Sequence, residues 1–203
     1  MRNSLIILVS SLLLLGCQKD EEKLNISHNL EAFHTIELNS SFDVDLKEGT
    51  DYSLEINTND KNQEKLVFEV RDSVLIIQND RKLKWSSPKD DPIKLTITSK
   101  PLDRVNANET CNIKTLNPIT SDEFGLVVGS KANQADLDLN CRIFYYWNSH
   151  PCGGEIKLRG KTEELKIWNT ALMKIDAKAV VTNFAIVENN YNIVGVITAP
   201  DKP

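Results

Sequence analysis

A repeat of short apolar–polar alternations runs from Val105 to Val196 and constrains the fold more than any other feature of the sequence. The alternations begin at residues 105, 126, 144, 165 and 184, so successive starts are 18 to 21 residues apart. Apolar side chains at every second position predict β-strands with one buried side. A step of roughly 20 residues between such strands is typical of stacked β rungs. We therefore expect an all-β solenoid, with a β-sandwich as the alternative.

Within each rung the alternation assigns side chains to the inside or the outside. The first strands predict these inward residues: Val105, Ala107, Leu126, Val128, Phe144, Tyr146, Leu165, Ile167, Phe184 and Ile186. The second strands predict Ile113, Leu137, Ile156, Ile175 and Ile193. A residue suited to a tight corner follows the first strand of each rung, namely Asn108, Gly129, Asn148, Asn169 and Asn189. Stacked asparagines of this kind can form hydrogen bonds from one rung to the next.

The chain before the repeat also alternates with period two, and no helical periodicity persists in it. Residues 79–92 are polar and proline-containing, which predicts a surface loop. No low-complexity linker separates these strands from the repeat. We expect one β domain over residues 25–203, with N-terminal strands in 25–104 and repeat rungs in 105–203.

The first 16 residues have the composition of a lipoprotein signal peptide. A basic residue, Arg2, precedes an apolar run from Leu5 to Leu15 that is too short to span a bilayer comfortably. The run ends in Leu14-Leu15-Gly16-Cys17, which resembles a bacterial lipobox. We expect cleavage before Cys17 and lipidation of its thiol and amino group, which would anchor the chain to a membrane. An ordinary signal peptide is the alternative.

Residues 17–24 predict a solvated tether between the lipid and the domain. Position 18 is Gln rather than the Asp that commonly retains lipoproteins in the inner membrane, which favours the outer membrane. The acidic residues after Cys17 also resemble a surface-export signal, although a flexible spacer explains them equally well. The sequence predicts an outer-membrane, lipid-anchored protein with a preference for cell-surface display.

Charge and motif content exclude several classes of function. The formal net charge is −5, and the basic residues are scattered, so no patch predicts nucleic-acid binding. None of the three histidines belongs to a recognisable nucleophile motif, and no phosphate-binding loop is present. The carboxylate pairs Asp43/Asp45 and Asp136/Asp138 predict outward-facing positions in strands. We expect no catalytic residues and no cofactor.

Three cysteines remain after Cys17 in an oxidising compartment: Cys111, Cys141 and Cys152. Cys141 and Cys152 flank a tyrosine-rich strand and are the candidate disulfide pair, while three buried free thiols are an equally weighted alternative. With His150 these two cysteines could also bind zinc, but an unpaired cluster of this kind is a weak signal. We predict no metal site.

Three aromatic side chains predict a binding platform. Under the face assignment, Tyr145, Trp147 and Trp168 point outward, and the two tryptophans are one rung apart. Aromatic rings on neighbouring rungs can receive a sugar face or a partner's side chain. The alternatives are a covering loop or a reversed phase that buries the rings.

The chain resembles the family of putative auto-transporter adhesins with a head GIN domain. The resemblance rests on Phe42-Asp43-Val44 with Gly49, on residues 93–97, on Pro101-Leu102 before Val105, and on the segments 160–165, 175–177 and 194–196. It implies a right-handed parallel β-helix, an envelope location and an adhesive or binding role. The chain departs from the family in its corners, where Asn replaces Gly-Ser-Gly-like turns except at Gly129-Ser130.

These observations favour a non-enzymatic, lipid-anchored adhesin-like or ligand-binding module of the cell envelope. Its expected partners are the membrane, through the lipid on Cys17, and a glycan or an envelope protein. A carbohydrate-active enzyme on a β-helix scaffold and a periplasm-facing structural lipoprotein are the alternatives.

Overall fold

The computed structural model describes residues 24–58, 65–80, 93–130, 132–148, 152–169, 172–188 and 197–198. The signal peptide, Cys17, most of the tether, His150, Asn189 and Ile193 lie outside these ranges, so the predictions made for them remain predictions. Within the described ranges, no helix is long and apolar enough to cross a membrane.

The described residues form fourteen β-strands. Their bounds are β1 Leu24–Asn29, β2 Thr35–Leu38, β3 Phe42–Glu48, β4 Ser53–Thr58, β5 Leu66–Arg71, β6 Val74–Asn79, β7 Lys94–Ser99, β8 Arg104–Ala107, β9 Cys111–Thr115, β10 Glu123–Val128, β11 Ala132–Asn148, β12 Gly153–Trp168, β13 Leu172–Glu188 and β14 Ile197–Thr198. Strict alternation produces the strands: in β3, Phe42, Val44 and Leu46 are buried while the residues between them are not.

All fourteen strands belong to one curled sheet with two flanks. The first flank runs β1-β4-β7-β3-β9 into the N-terminal half of β11, and the second runs from the C-terminal half of β11 through β10-β8-β2-β6-β5. β12 pairs in parallel with β11, and β13 pairs in parallel with β12. Buried side chains from both flanks form one hydrophobic core.

The predicted parallel β-helix is wrong. The sheet is a curled half-barrel of mixed strand orientation, and the sandwich-like alternative is closer. The β1–β4, β4–β7 and β5–β6 pairs are antiparallel, so the N-terminal strands close the sheet with antiparallel pairings rather than further rungs. The 20-residue period led to the wrong fold, because long parallel strands joined by short turns have the same period even when they do not form a complete solenoid. The period itself is present, since Ala132 pairs with Gly153 and Gly153 pairs with Leu172.

The three long strands β11, β12 and β13 turn from the first flank to the second in mid-strand. Gly160 lies at this corner with a φ of 103°, and a Cβ there would come within 2.1 Å of the Leu139 carbonyl oxygen. Only glycine tolerates both conditions. In β13 the register shifts between the partners of Lys157 and Arg159, which inserts an extra residue at the same corner.

The extra residue reverses the predicted phase at the end of the repeat. The other predicted inward residues within the described ranges are buried, but Phe184 is 56% exposed and Ile186 is half-buried. Phe184 pairs with the outward Glu164, whereas Ala185 pairs with the buried Leu165. The inward assignment of Phe184 and Ile186 is therefore wrong, because one inserted residue moves every later side chain to the other side of a strand.

Asparagine ladders lie where strands of the second flank end. Asn148 Nδ2 donates to Asn169 Oδ1 at 2.9 Å, and Asn108 Nδ2 donates to Asn39 Oδ1 at 2.7 Å. Asn169 also donates to the carbonyl of Met173. The predicted hydrogen bonds between corner asparagines are confirmed, and Asn39 is a member that the repeat did not reveal.

The three cysteines within the described ranges are buried, and no disulfide joins Cys141 to Cys152 in the structure. Cys141 pairs with Thr162 at the mid-strand corner of β11. Cys152 lies beside Val128 at the opposite corner, one residue before Gly153, which pairs with Ala132. Nine residues of β11, about 30 Å of extended chain, separate these two levels, and a disulfide requires Cα atoms within about 7 Å.

Candidate functional site

The outward side of the second flank presents the three predicted aromatic residues together. We define the aromatic face as Tyr145 and Trp147 of β11 with Trp168 of β12. Trp147 is 43% exposed and the other two are half-buried, while the alternating neighbours Tyr146 and Ile167 are fully buried. Trp147 and Trp168 are register partners, so their Cα atoms lie about 4.8 Å apart on adjacent strands. The three side chains therefore point outward, and their role as a binding platform stays a prediction.

Gly125 allows the Tyr145 ring to lie flat on the sheet. The two residues are register partners in β10 and β11. A Cβ on Gly125 would come within 2.0 Å of Tyr145 Cζ and 2.4 Å of its hydroxyl oxygen. The ring therefore crosses β10 above Gly125 and points away from β12, the strand that carries Trp168. Any larger residue at position 125 would displace it.

An open depression of about 450 Å³ borders the Tyr145 ring. We call it the Tyr145 depression, and it is lined by His34, Thr35, Asp103, Arg104, Asp122, Glu123 and Tyr145. The residues come from the start of β2, β8 and β10 and from the turns before them. The pairing of Arg104 with Gly125 places Arg104 on the strand beyond the tyrosine ring.

Two polar contacts involve residues that line the depression. Arg142 donates to both carboxylate oxygens of Asp122, each at 2.7 Å. This hydrogen bonding lowers the pKa of Asp122 and raises the pKa of Arg142. His34 Nδ1 lies 3.1 Å from Asp103 Oδ2. By contrast, Arg104 and Glu123 form no salt bridge with any other described residue.

The first flank carries a different outward surface. Asp45, Lys114, Asp136, Lys157 and Asp176 are successive register partners across five strands, so their charges alternate in sign. We call this row the charged face. Lys94 binds Asp45 at 2.8 Å and Arg159 binds both Asp136 and Asp138, so three of the four carboxylates predicted to face outward form ion pairs. The Asp45 hydrogen bond raises the pKa of Lys94.

The chemistry available at the aromatic face is recognition by stacking and hydrogen bonding. Arg142 keeps Asp122 ionised, which suits the carboxylate to accept hydrogen bonds rather than to donate a proton as a general acid. Among the described residues, no group of three or more His, Cys, Asp or Glu side chains could hold a metal ion.

The sequence pointed to the three aromatic residues but missed Gly125, Arg104 and Glu123. A glycine inside a strand pattern was an available signal, because it commonly marks a close approach by another group. Arg104 and Glu123 had no such signal, because charged residues at outward positions of a strand are ordinary, even though the repeat predicted that their strands are neighbours.

Comparison with protein-family models identifies the family of this chain, which the geometry of the site does not show. The model described as putative auto-transporter adhesin, head GIN domain, matches residues 32–190. The chain belongs to this family. The resemblance seen in the sequence is thereby confirmed. The chain has no significant match among curated proteins.

Solved structures with the same fold include proteins from Bacteroides and Parabacteroides. A putative adhesin from Bacteroides fragilis NCTC 9343 is 18% identical, with a TM-score of 0.71 over 83% of this chain and 78% of that one. A putative adhesin from Parabacteroides distasonis ATCC 8503 is 14% identical, with a TM-score of 0.59 over 82% and 77%. A structure described as a putative lipid binding protein, also from P. distasonis, is 14% identical with a TM-score of 0.56 over 82% and 78%. At these identities the likeness concerns the fold.

Proposed function

We propose that the chain is a non-enzymatic, adhesin-like binding module of the cell envelope, anchored through lipid on Cys17, whose aromatic face binds carbohydrate. Its membership of a family described as adhesins supports the binding role. The observation that carries the ligand class is the outward placement of Trp147 beside Trp168, with Tyr145 next to them. A pyranose presents one apolar C–H face, and aromatic rings on a flat sheet are complementary to such a face.

The surroundings of the rings also favour a sugar. Lys166 and Glu164 form an ion pair at 2.8 Å beside Trp168, and the Tyr145 depression lies on the other side. Polar groups at the edge of an aromatic surface can bind the hydroxyls around a sugar ring while the rings contact its face. A purely apolar protein interface would be depleted of such charges at its centre.

The decisive experiment compares glycan-array binding of the mature full chain with that of its Trp147→Ala/Trp168→Ala variant. We expect the double variant to lose binding at least tenfold while its thermal unfolding changes little, because both rings are solvent-exposed in part. Phe184→Ala is the matched control, since Phe184 is an exposed aromatic of the same flank outside the aromatic face. Equal binding by wild type and the double variant would refute the carbohydrate proposal.

The same samples separate the other candidate ligands. A fold relative is described as a putative lipid binding protein, so vesicles of phosphatidylethanolamine and phosphatidylglycerol form a second arm. Binding to vesicles but to no glycan would replace the carbohydrate with a lipid surface. Release of shortened sugars during the assay would replace the binding module with an enzyme.

Anchoring and display need their own test. Metabolic labelling with an alkynyl fatty acid should mark the wild type and not Cys17→Ser. Protease treatment of intact cells should remove the domain if it is surface-displayed, and full protection would instead favour the periplasm-facing alternative.

A further inference from the structure

The Tyr145 depression shares a wall with the aromatic face, and this continuity extends the proposed site. Tyr145 belongs to the aromatic face on one side and lines the depression on the other. Its ring crosses Gly125 toward the strand that carries Arg104. A ligand lying on Trp147 and Trp168 therefore meets the depression directly when it extends along the tyrosine ring.

We propose that the Tyr145 depression is a second saccharide subsite, which binds the next residue of a neutral oligosaccharide whose first residue lies on Trp147 and Trp168. This inference rests on the proposed function. It adds the length and the charge of the ligand, and it assigns Arg104 and Glu123 as the residues that contact it.

The hydrogen-bonding groups of the depression match the hydroxyls of a sugar. Arg104 carries guanidinium donors and Glu123 carries carboxylate acceptors, and neither forms a salt bridge with another described residue. Sugar hydroxyls both donate and accept hydrogen bonds, so a single sugar residue can accept from Arg104 and donate to Glu123. Hydrogen bonds to charged groups are among the stronger ones in proteins.

The charge balance favours a neutral ligand. The depression is lined by three carboxylates, those of Asp103, Asp122 and Glu123, and by one guanidinium group, that of Arg104. Arg142 pairs with Asp122 from outside this lining. A sugar carboxylate or phosphate would meet a net negative surface.

Gly125 is a positioning residue for this subsite. In a Gly125→Ala variant the new Cβ would overlap the Tyr145 ring, and the end of that flexible side chain would have to move. Movement of the ring would change the shared wall while Arg104 and Glu123 keep their own side chains. Gly129→Ala is the control, because its Cβ would meet nothing closer than 3.5 Å.

The test measures affinity for neutral gluco- and manno-oligosaccharides of one to five residues, with glucuronate-containing oligomers as charged counterparts. We expect wild type to bind oligomers more tightly than monosaccharides and neutral ones more tightly than charged ones. Arg104→Ala should lose about tenfold of affinity for oligomers, the effect of one hydrogen bond to a charged group, with monosaccharide binding unchanged. Glu123→Gln should lose less, because its amide oxygen still accepts a hydrogen bond. Gly125→Ala should lower the affinity for oligomers and, to a smaller extent, that for monosaccharides, because it moves the Tyr145 ring of the aromatic face.

The outcomes distinguish the two levels of proposal. If Trp147→Ala lowers the affinity for every sugar while Arg104→Ala and Glu123→Gln change none, the subsite is refuted and the aromatic face stands. Tighter binding of glucuronate-containing oligomers would also overturn the neutral subsite. If the wild type binds no sugar of any length, the carbohydrate function fails and the subsite fails with it.

Discussion

The aromatic face and the charged face lie on the same strands but use their outward positions differently. Both lie outside a fully buried row of apolar residues, and both include β11 and β12. On the charged face each side chain has a neighbour of opposite sign, and Arg159 and Lys94 add further partners. The aromatic face carries uncharged rings, and Arg104 of the neighbouring Tyr145 depression forms no salt bridge with a described residue. Lys114 and Lys157 of the charged face likewise form none among the described residues. The difference is that the charged face presents charges of alternating sign, whereas the aromatic face presents apolar ring surface to a ligand.

The largest expected loss of stability comes from replacing a glycine whose Cβ would clash with backbone rather than with a side chain. Gly154, at the start of β12 on the first flank, has a φ of 133°, and a Cβ there would lie 1.9 Å from the carbonyl oxygen of Asn133. We expect Gly154→Ala to lower the free energy of unfolding by more than roughly 3 kcal/mol, because strained backbone and a backbone clash add together. Urea unfolding provides the measurement.

Gly125→Ala is the matched change on the second flank. Its clash involves the movable end of the Tyr145 side chain and no positive φ, so it should unfold at a urea concentration closer to the wild type. Equal destabilisation by the two substitutions would show that the flanks do not differ in this respect.

Alkaline pH should weaken the core through its buried thiols. Burial raises the pKa of Cys111 and of Cys141 from 9.0 to about 12. Above pH 9 the unfolded thiols lose protons while the folded ones keep them, so the unfolded state binds fewer protons and stability falls as pH rises toward 12. The slope should approach about 1.4 kcal/mol per pH unit for each thiol.

Urea unfolding between pH 8 and 11 tests this slope. Cys111→Ala and Cys141→Ala should each make it shallower. Burial also raises the pKa of Tyr146, beneath the aromatic face, from its ordinary value of 10.0. Its contribution to the fall in stability should therefore begin near pH 10, above the pH at which the contribution of the thiols begins.

The smallest effect concerns the charged face. Lys157 lies between Asp136 and Asp176 in the alternating row. We expect Lys157→Gln to reduce stability by roughly 0.2–1 kcal/mol, the usual range for cross-strand charge pairs, and the reduction should shrink at high salt. Glycan binding should not change. A loss of binding would place the ligand site on the charged face and reverse the comparison.

The period-two alternation was sufficient to predict the β class and nearly all of the core, because burial of one strand side is a local property. Phe184 escaped it, since one inserted residue in β13 reverses the phase and leaves no mark in the alternation. The half-barrel also escaped it, because the antiparallel pairing of β1 with β4 is a long-range choice. The aromatic residues were visible in the pattern, whereas Arg104 and Glu123 became site residues only when the strands were brought together.

The continuity of β11 and β12 has a mechanical consequence for a protein that holds a ligand at the aromatic face. Each strand runs without a break from one flank to the other, and their register joins Ala132 with Gly153 at one end and Trp147 with Trp168 at the other. A lateral pull on the tryptophans would be shared by backbone hydrogen bonds along the whole length of this pair. The paired strands β11 and β12 would then resist shear together, and the ligand would dissociate before the two strands slide past each other.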